Sequence, residues 1–197
     1  STINQNFSYA YLSNIEDWSA KVDFDWMPNP DHLVKFGIGD IYHTFTPGVN
    51  QFQFSETGPS ALDTTFGAVK QYATEASAYI EDDWTVNNSI KGNGGLHYCT
   101  FFVGNKQYSS FQPRLSFRYL IDSKSSFKMG YAKMGQFLHL LTNSGIGLPT
   151  DLWVPATKKI KPQFSDQIAA GYARTFNDKI EVSLEGYYKS MDYLIVY

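Results

Sequence analysis

The sequence predicts an all-β protein, an antiparallel up-and-down meander of about nine long strands that forms part of a transmembrane β-barrel. Three observations lead there. Apolar and polar side chains alternate with period two along most of the 197 residues, helical spacing is nearly absent, and turn-forming clusters punctuate the alternating runs.

The first clear strand sets Trp18, Ala20, Val22, Phe24 and Trp26 on one face and Ser19, Lys21, Asp23 and Asp25 on the other. The same division follows with Val34, Phe36 and Ile38 against Lys35, Gly37 and Gly39, then Ala76, Ala78 and Ile80 against Glu75, Ser77 and Glu81. Leu115, Phe117, Tyr119 and Ile121 oppose Arg114, Ser116 and Arg118, and Phe127, Met129 and Tyr131 oppose Lys128 and Gly130. Ile168, Ala170 and Tyr172 oppose Gln167, Ala169 and Gly171, and Ile180, Val182, Leu184 and Tyr188 oppose Glu181, Ser183, Glu185 and Lys189.

Short turns are expected near residues 28–31, 87–88, 122–125 and 177–179, where Pro, Asn, Asp and Ser favour tight reversals. Longer connections are expected at 47–69 and 139–163, with modest ones near 13–17 and 104–110. Short and long connections thus alternate. Residues 18–26, at about 3.3 Å each and tilted by about 40°, rise roughly 20 to 25 Å, enough for the apolar band of an outer-membrane barrel. Aromatics gather near strand ends: Trp26, Trp84 and Phe176 beside short turns, and Tyr42, Phe45, Phe101, Phe137 and Tyr188 towards the long connections. They read as two interfacial girdles.

Composition narrows the function. A mean hydropathy of -0.32 accompanies 43% hydrophobic residues, which fits strands with one apolar and one polar face as well as it fits a soluble domain. No run approaches the roughly 18 apolar residues of a membrane helix. One cysteine gives no disulfide framework, and a net charge of -3 with scattered Lys and Arg gives no footprint for nucleic acid.

The polar face, with Lys21, Asp23, Asp25, Lys35, Glu75, Glu81, Lys91, Arg114, Arg118, Glu181 and Glu185, reads as a wet lumen wall; in a soluble β-sandwich the same residues would be the solvated exterior. No catalytic residues are assigned: the same-face pairs Asp23 and Asp25, and Glu181 and Glu185, read as wall charges, and no nucleophile elbow or triad is present. No metal or cofactor is expected, since His97 and Cys99 share a face but supply only two ligands. The run Gly92-Asn93-Gly94-Gly95 reads as a kink or close-packing lane. The connection at 139–163 holds the ligand-contact candidates His139, Asn143, Asp151 and Trp153 on a backbone stiffened by Pro149, Pro155 and Pro162, although Trp153 and the prolines serve equally to pack the loop. The connection at 47–69 fits ligand capture more weakly.

Three segments carry a family resemblance: Phe111-Gln-Pro-Arg-Leu-Ser-Phe-Arg-Tyr-Leu120, Leu140-Leu-Thr-Asn-Ser-Gly-Ile-Gly-Leu-Pro-Thr-Asp-Leu-Trp-Val-Pro155 and Ile160-Lys-Pro-Gln-Phe-Ser-Asp-Gln-Ile168. With Tyr79-Ile-Glu-Asp-Asp-Trp84 and Leu184-Glu-Gly-Tyr-Tyr-Lys-Ser-Met-Asp192, they resemble the barrel of TonB-dependent outer-membrane receptors of the Bacteroidetes type. The resemblance implies a 22-stranded barrel in the outer membrane of a Gram-negative bacterium, bounded by lipid and filled by an N-terminal plug domain. It also implies import of a small ligand with energy passed from TonB through the plug, and a surface lipoprotein as partner. About nine strands are fewer than such a barrel needs, so residues 1–197 are expected to be an internal barrel fragment without its plug or remaining strands. The alternatives are a soluble or surface β-sheet protein that stacks a sugar on Trp153, and a small self-contained porin or adhesin barrel.

Overall fold

The computed structural model describes residues 5–56, 61–67, 69–143, 150–177 and 179–195. Its strands are β1 (Gln5–Asn29), β2 (His32–Glu56), β3 (Ala61–Gly67), β4 (Gln71–Thr85), β5 (Ile90–Val103), β6 (Lys106–Asp122), β7 (Ser125–Gln136), β8 (Leu138–Asn143), β9 (Thr150–Pro155), β10 (Gln163–Phe176) and β11 (Ile180–Asp192). Eight of them form one antiparallel path, β1-β2-β4-β5-β6-β7-β10-β11, with β3 added on β2, while β8 and β9 make a separate two-stranded sheet. The all-β meander is therefore the observed architecture, and the sheet is open, with β1 and β11 at its edges.

The short turns form where expected because their own side chains hold them. Asn29 Oδ1 accepts from the Asp31 amide at 2.9 Å, Asn87 Oδ1 from the Ser89 and Ile90 amides at 2.8 and 2.9 Å, and Asp122 Oδ1 from the Lys124 amide at 2.7 Å. Each replaces a backbone partner lost where the ladder reverses. Asn177 takes φ 52°, a left-handed angle that asparagine tolerates and a tight reversal requires.

The other end departs from expectation in four places, one being the connection expected at 139–163, where β8 and β9 pair as an antiparallel ladder. The connection expected at 13–17 is continuous strand with a register shift between Leu12 and Asn14, a bulge that absorbs the irregularity without ending β1. The connection expected at 104–110 shrinks to two residues, with Gly104 at φ 53° and Val103 paired to Lys106. Most of the loop expected at 47–69 is strand: β2 runs to Glu56, pairing with β1 on one side and β3 on the other. Ladder hydrogen bonds depend on backbone, so the polar composition of 47–69 did not prevent extension.

The register places every alternating set on a common side. Phe24, Phe36, Ile80 and Leu96 lie in one cross-strand row, as do Leu115, Tyr131, Ile168 and Tyr188, and Tyr119, Phe127, Tyr172 and Leu184. This apolar face is open: Trp18, Phe24, Ile38, Leu115, Leu184 and Tyr188 are all exposed, Trp18 at 71% and Leu184 at 76%. Among the described residues, no second sheet packs upon it, as a β-sandwich would demand. The buried cluster lies instead on the polar face: Phe45, Ala73, Cys99 and Phe101 are covered by Phe137 and Ala156.

Candidate functional site

The polar face carries the candidate site, and pairing fixes which residues share it. Asp23 is opposite Gly37, which is opposite Tyr79, which is opposite His97. Gly37 is needed in that row, because a Cβ there would meet Asp23 Oδ1 at 2.5 Å and the Tyr79 ring at 2.8 Å. The Tyr79 hydroxyl donates to Asp23 Oδ1 at 2.6 Å, and Lys21 Nζ lies 3.0 Å from the same oxygen. Lys35 reaches Asp83 at 3.3 Å and Glu81 at 3.8 Å, and the Asn93 amide donates to Asp83 at 2.7 Å. Lys21, Ser77, Tyr79, Glu81, His97 and Arg114 line an open hollow of about 340 Å³.

At the end opposite the short turns, residues 137–143 and 150–162 fold onto this face. The Phe137 ring stacks on Phe101 with centroids 5.2 Å apart and an interplanar angle of 9°. The Tyr108 hydroxyl donates to the Thr157 carbonyl at 2.7 Å, and the Ala156 amide donates to the Phe137 carbonyl at 2.7 Å. Thr157 Oγ1 accepts from the Lys159 and Ile160 amides, closing the turn that returns the chain to β10. Beneath this strap His43, 2% exposed, holds Asp17 through Nδ1 at 2.7 Å, with its Nε2 3.9 Å from Glu75. The Cys99 thiol donates to the other Glu75 oxygen at 3.3 Å.

The expected residues fall into place unevenly. Lys21, Asp23, Asp25, Lys35, Glu75, Glu81, Arg114 and Arg118 occupy the polar face, and Glu181 and Glu185 occupy it on edge strand β11. Trp26, Tyr42, Phe176 and Tyr188 are exposed on the apolar face. Trp84 also lies there, its indole spread over Gly92 and Gly94. That contact explains the glycine run as a close-packing lane.

Phe45 is a correction: it is fully buried on the polar face and forms no girdle, as are Phe101 and Phe137, because the strap covers that end. His139, expected as a contact residue, is 1% exposed and lies buried in the strap's seat. Trp153 packs partly buried against the same cluster. The backbones of Asn143 and Asp151 pair within the β8 and β9 hairpin, while their side chains, like residues 144–149, lie outside the described residues. His43 is the member of the His43, Glu75 and Cys99 cluster that sequence reasoning missed. Among the described residues, no group of three or more such side chains is arranged to hold a metal ion.

A family model described as "TonB dependent receptor-like, beta-barrel" matches residues 1–197. In fold, the chain is similar to a chain of the RagAB peptide transporter, at 11% identity and a TM-score of 0.61 over 96% of this chain. It spans 25% of the length of that chain. OmpT, an outer membrane protein of Vibrio cholerae, is matched at 12% identity with a TM-score of 0.44, over 87% of this chain and 53% of its own. No curated protein matches.

Proposed function

Because the chain belongs to the TonB-dependent receptor-like β-barrel family, we propose that it forms part of the wall of an outer-membrane receptor of the Bacteroidetes type in a Gram-negative bacterium. The receptor imports a scarce small ligand with energy delivered through TonB. The observation that carries this reading is an apolar face left open along eight paired strands, opposite a face that holds most of the charges and the buried cluster. Water penalises that arrangement, at about 25 cal/mol per Å² of apolar surface left wet, and lipid favours it.

In this role the apolar face meets lipid, the polar face lines the lumen, and the short turns lie on the periplasmic side. The remaining strands and a plug domain complete the barrel, and a surface lipoprotein caps it. The strap meets a ligand arriving from the outer side, with Asn143 and Asp151 as its contact candidates. No residue is assigned catalysis. The sugar-stacking alternative is disfavoured because Trp153 is committed to the strap's own packing.

The test is quenching in vesicles. The full-length protein is reconstituted in brominated phosphatidylcholine, and single-Trp variants retain Trp18, Trp26 or Trp153. Strong quenching of Trp18 and Trp26 with Trp153 spared supports the reading; equal quenching of all three, or failure to enter vesicles, overturns it. For transport, uptake of iron chelates, corrinoids, peptides and glycans is compared in cells with and without the gene. Loss of one class, dependent on TonB, is the expected outcome.

A further inference from the structure

Arg114 is a cation of the polar face that two hollows share. Its cross-strand neighbours are Gly95 on β5 and Ala132 on β7, so a hydrogen and a methyl flank its long side chain. Among the described residues it has no ion pair. The carboxylates nearby are already engaged. Asp23 accepts from the Tyr79 hydroxyl and meets Lys21, Glu81 and Asp83 share Lys35, and Glu75 accepts from the Cys99 thiol. The planar fork of Arg114 is therefore open to an acceptor from outside the sheet.

The two hollows differ in chemistry. The first, of about 340 Å³, lies toward β4 and has Ser77, Tyr79 and His97 in its wall. His97 Nδ1 is shut off from solvent and has no hydrogen-bond partner among the described residues. A ring nitrogen so placed costs stability unless an occupant bonds it. The second hollow, of about 440 Å³, lies toward β10 and has a low floor. Ser116 is opposite Gly130, which is opposite Ala169, and Ala132 and Met134 continue that floor along β7. One side thus offers hydrogen bonds and the other offers apolar contact, each in a volume suited to a small molecule.

We propose that Arg114 anchors a small organic acid, its carboxylate held by the guanidinium beside the polar hollow and its apolar body laid over Gly130, Ala132 and Ala169. The inference rests on the receptor reading in taking this face as the lumen wall, and it names a class of solute for that wall. The residues select the class. A neutral sugar leaves the guanidinium without a counter-charge, a bare inorganic anion leaves the small-residue floor wet, and a cation is repelled by Arg114 and Lys21. A carboxylate presents two oxygens in the plane that an arginine fork matches.

Ligand-observed NMR titration of the full-length protein in lipid nanodiscs tests it. The probes are 3-phenylpropionate, its neutral counterpart 3-phenylpropanamide, and 2-phenylethylphosphonate. The acid should bind about tenfold or more tightly than the amide. Arg114→Gln should weaken the acid about tenfold and leave the amide unchanged, with Arg114→Lys between the two because a point charge lacks the fork. Ala132→Leu, which fills the second hollow, should weaken the acid several-fold, and Arg118→Gln, a cation outside both hollows, should change nothing. Absence of binding, equal affinity for acid and amide, or indifference to Arg114→Gln or Ala132→Leu overturns the site. So does an Arg118→Gln effect as large as that of Arg114→Gln, or a phosphonate bound more tightly than the acid. None of these results alters the quenching of Trp18 and Trp26 by brominated lipid, so the receptor reading stands or falls separately.

Discussion

Phe101 is fully buried although its strand neighbours on that face include Cys99 and Val103 and the wider face is charged. Its partner is Phe137, brought from 36 residues along the chain. Phe101→Ala should remove about 3–5 kcal/mol from the strap's seat. The check is urea unfolding of the receptor in vesicles together with protease cleavage within 137–162; Phe102→Ala, exposed on the opposite face, should leave both nearly unchanged. Gly92 makes a second residue-scale case, since any Cβ there collides with the Trp84 indole. Gly92→Ala should destabilise by about 1–3 kcal/mol, and much of that cost should vanish in a Trp84→Ala background, as measured by a double-mutant cycle. The glycine run was legible in the sequence as a close-packing lane. Its partner was not, because Trp84 meets Gly92 only through the register of the β4 and β5 hairpin.

At the scale of elements, the alternation of period two made most of the long strands readable, and Asx side chains made the short turns readable, because both signals are local. The strap was not readable as an inward structure. Gly, Pro and polar residues compose a loop equally well whether it turns into a lumen or away from it, and only Phe45, Phe101 and Tyr108 among charged neighbours hinted that one end is covered. The strap also carries a titrating group. Burial holds the His139 imidazole below its ordinary pKa of 6.5. The docked form therefore binds fewer protons than the released one, so docking is complete above pH 6.5 and weakens as the pH falls below it. Protease cleavage within 137–162 should rise between pH 7.5 and pH 5. His43, Asp17 and Glu75 lie in the same seat, so the decisive comparison is His139→Leu, which should flatten the profile.

For the whole molecule, two faces with opposite demands on solvent determine where it can reside. Leu115→Arg, on the apolar face in the middle of β6, should cost about 2–4 kcal/mol of stability in a bilayer. Its neighbour Ser116→Arg points to the polar face and should cost far less; folding yields in vesicles separate the two. The fold class was legible because both faces repeat the same pattern strand after strand, whereas the two hollows at Arg114 emerge only once register sets Gly95 and Ala132 beside it. The strap has one further consequence. By turning inward at the end opposite the short turns, residues 137–143 and 150–162 cover the polar side of the sheet there, so in the proposed receptor they would narrow the opening. Ionic current is sensitive to that width, so a planar-bilayer recording of the receptor with the strap shortened would show larger conductance steps than the intact protein, a measure of how much of the opening the chain itself keeps closed.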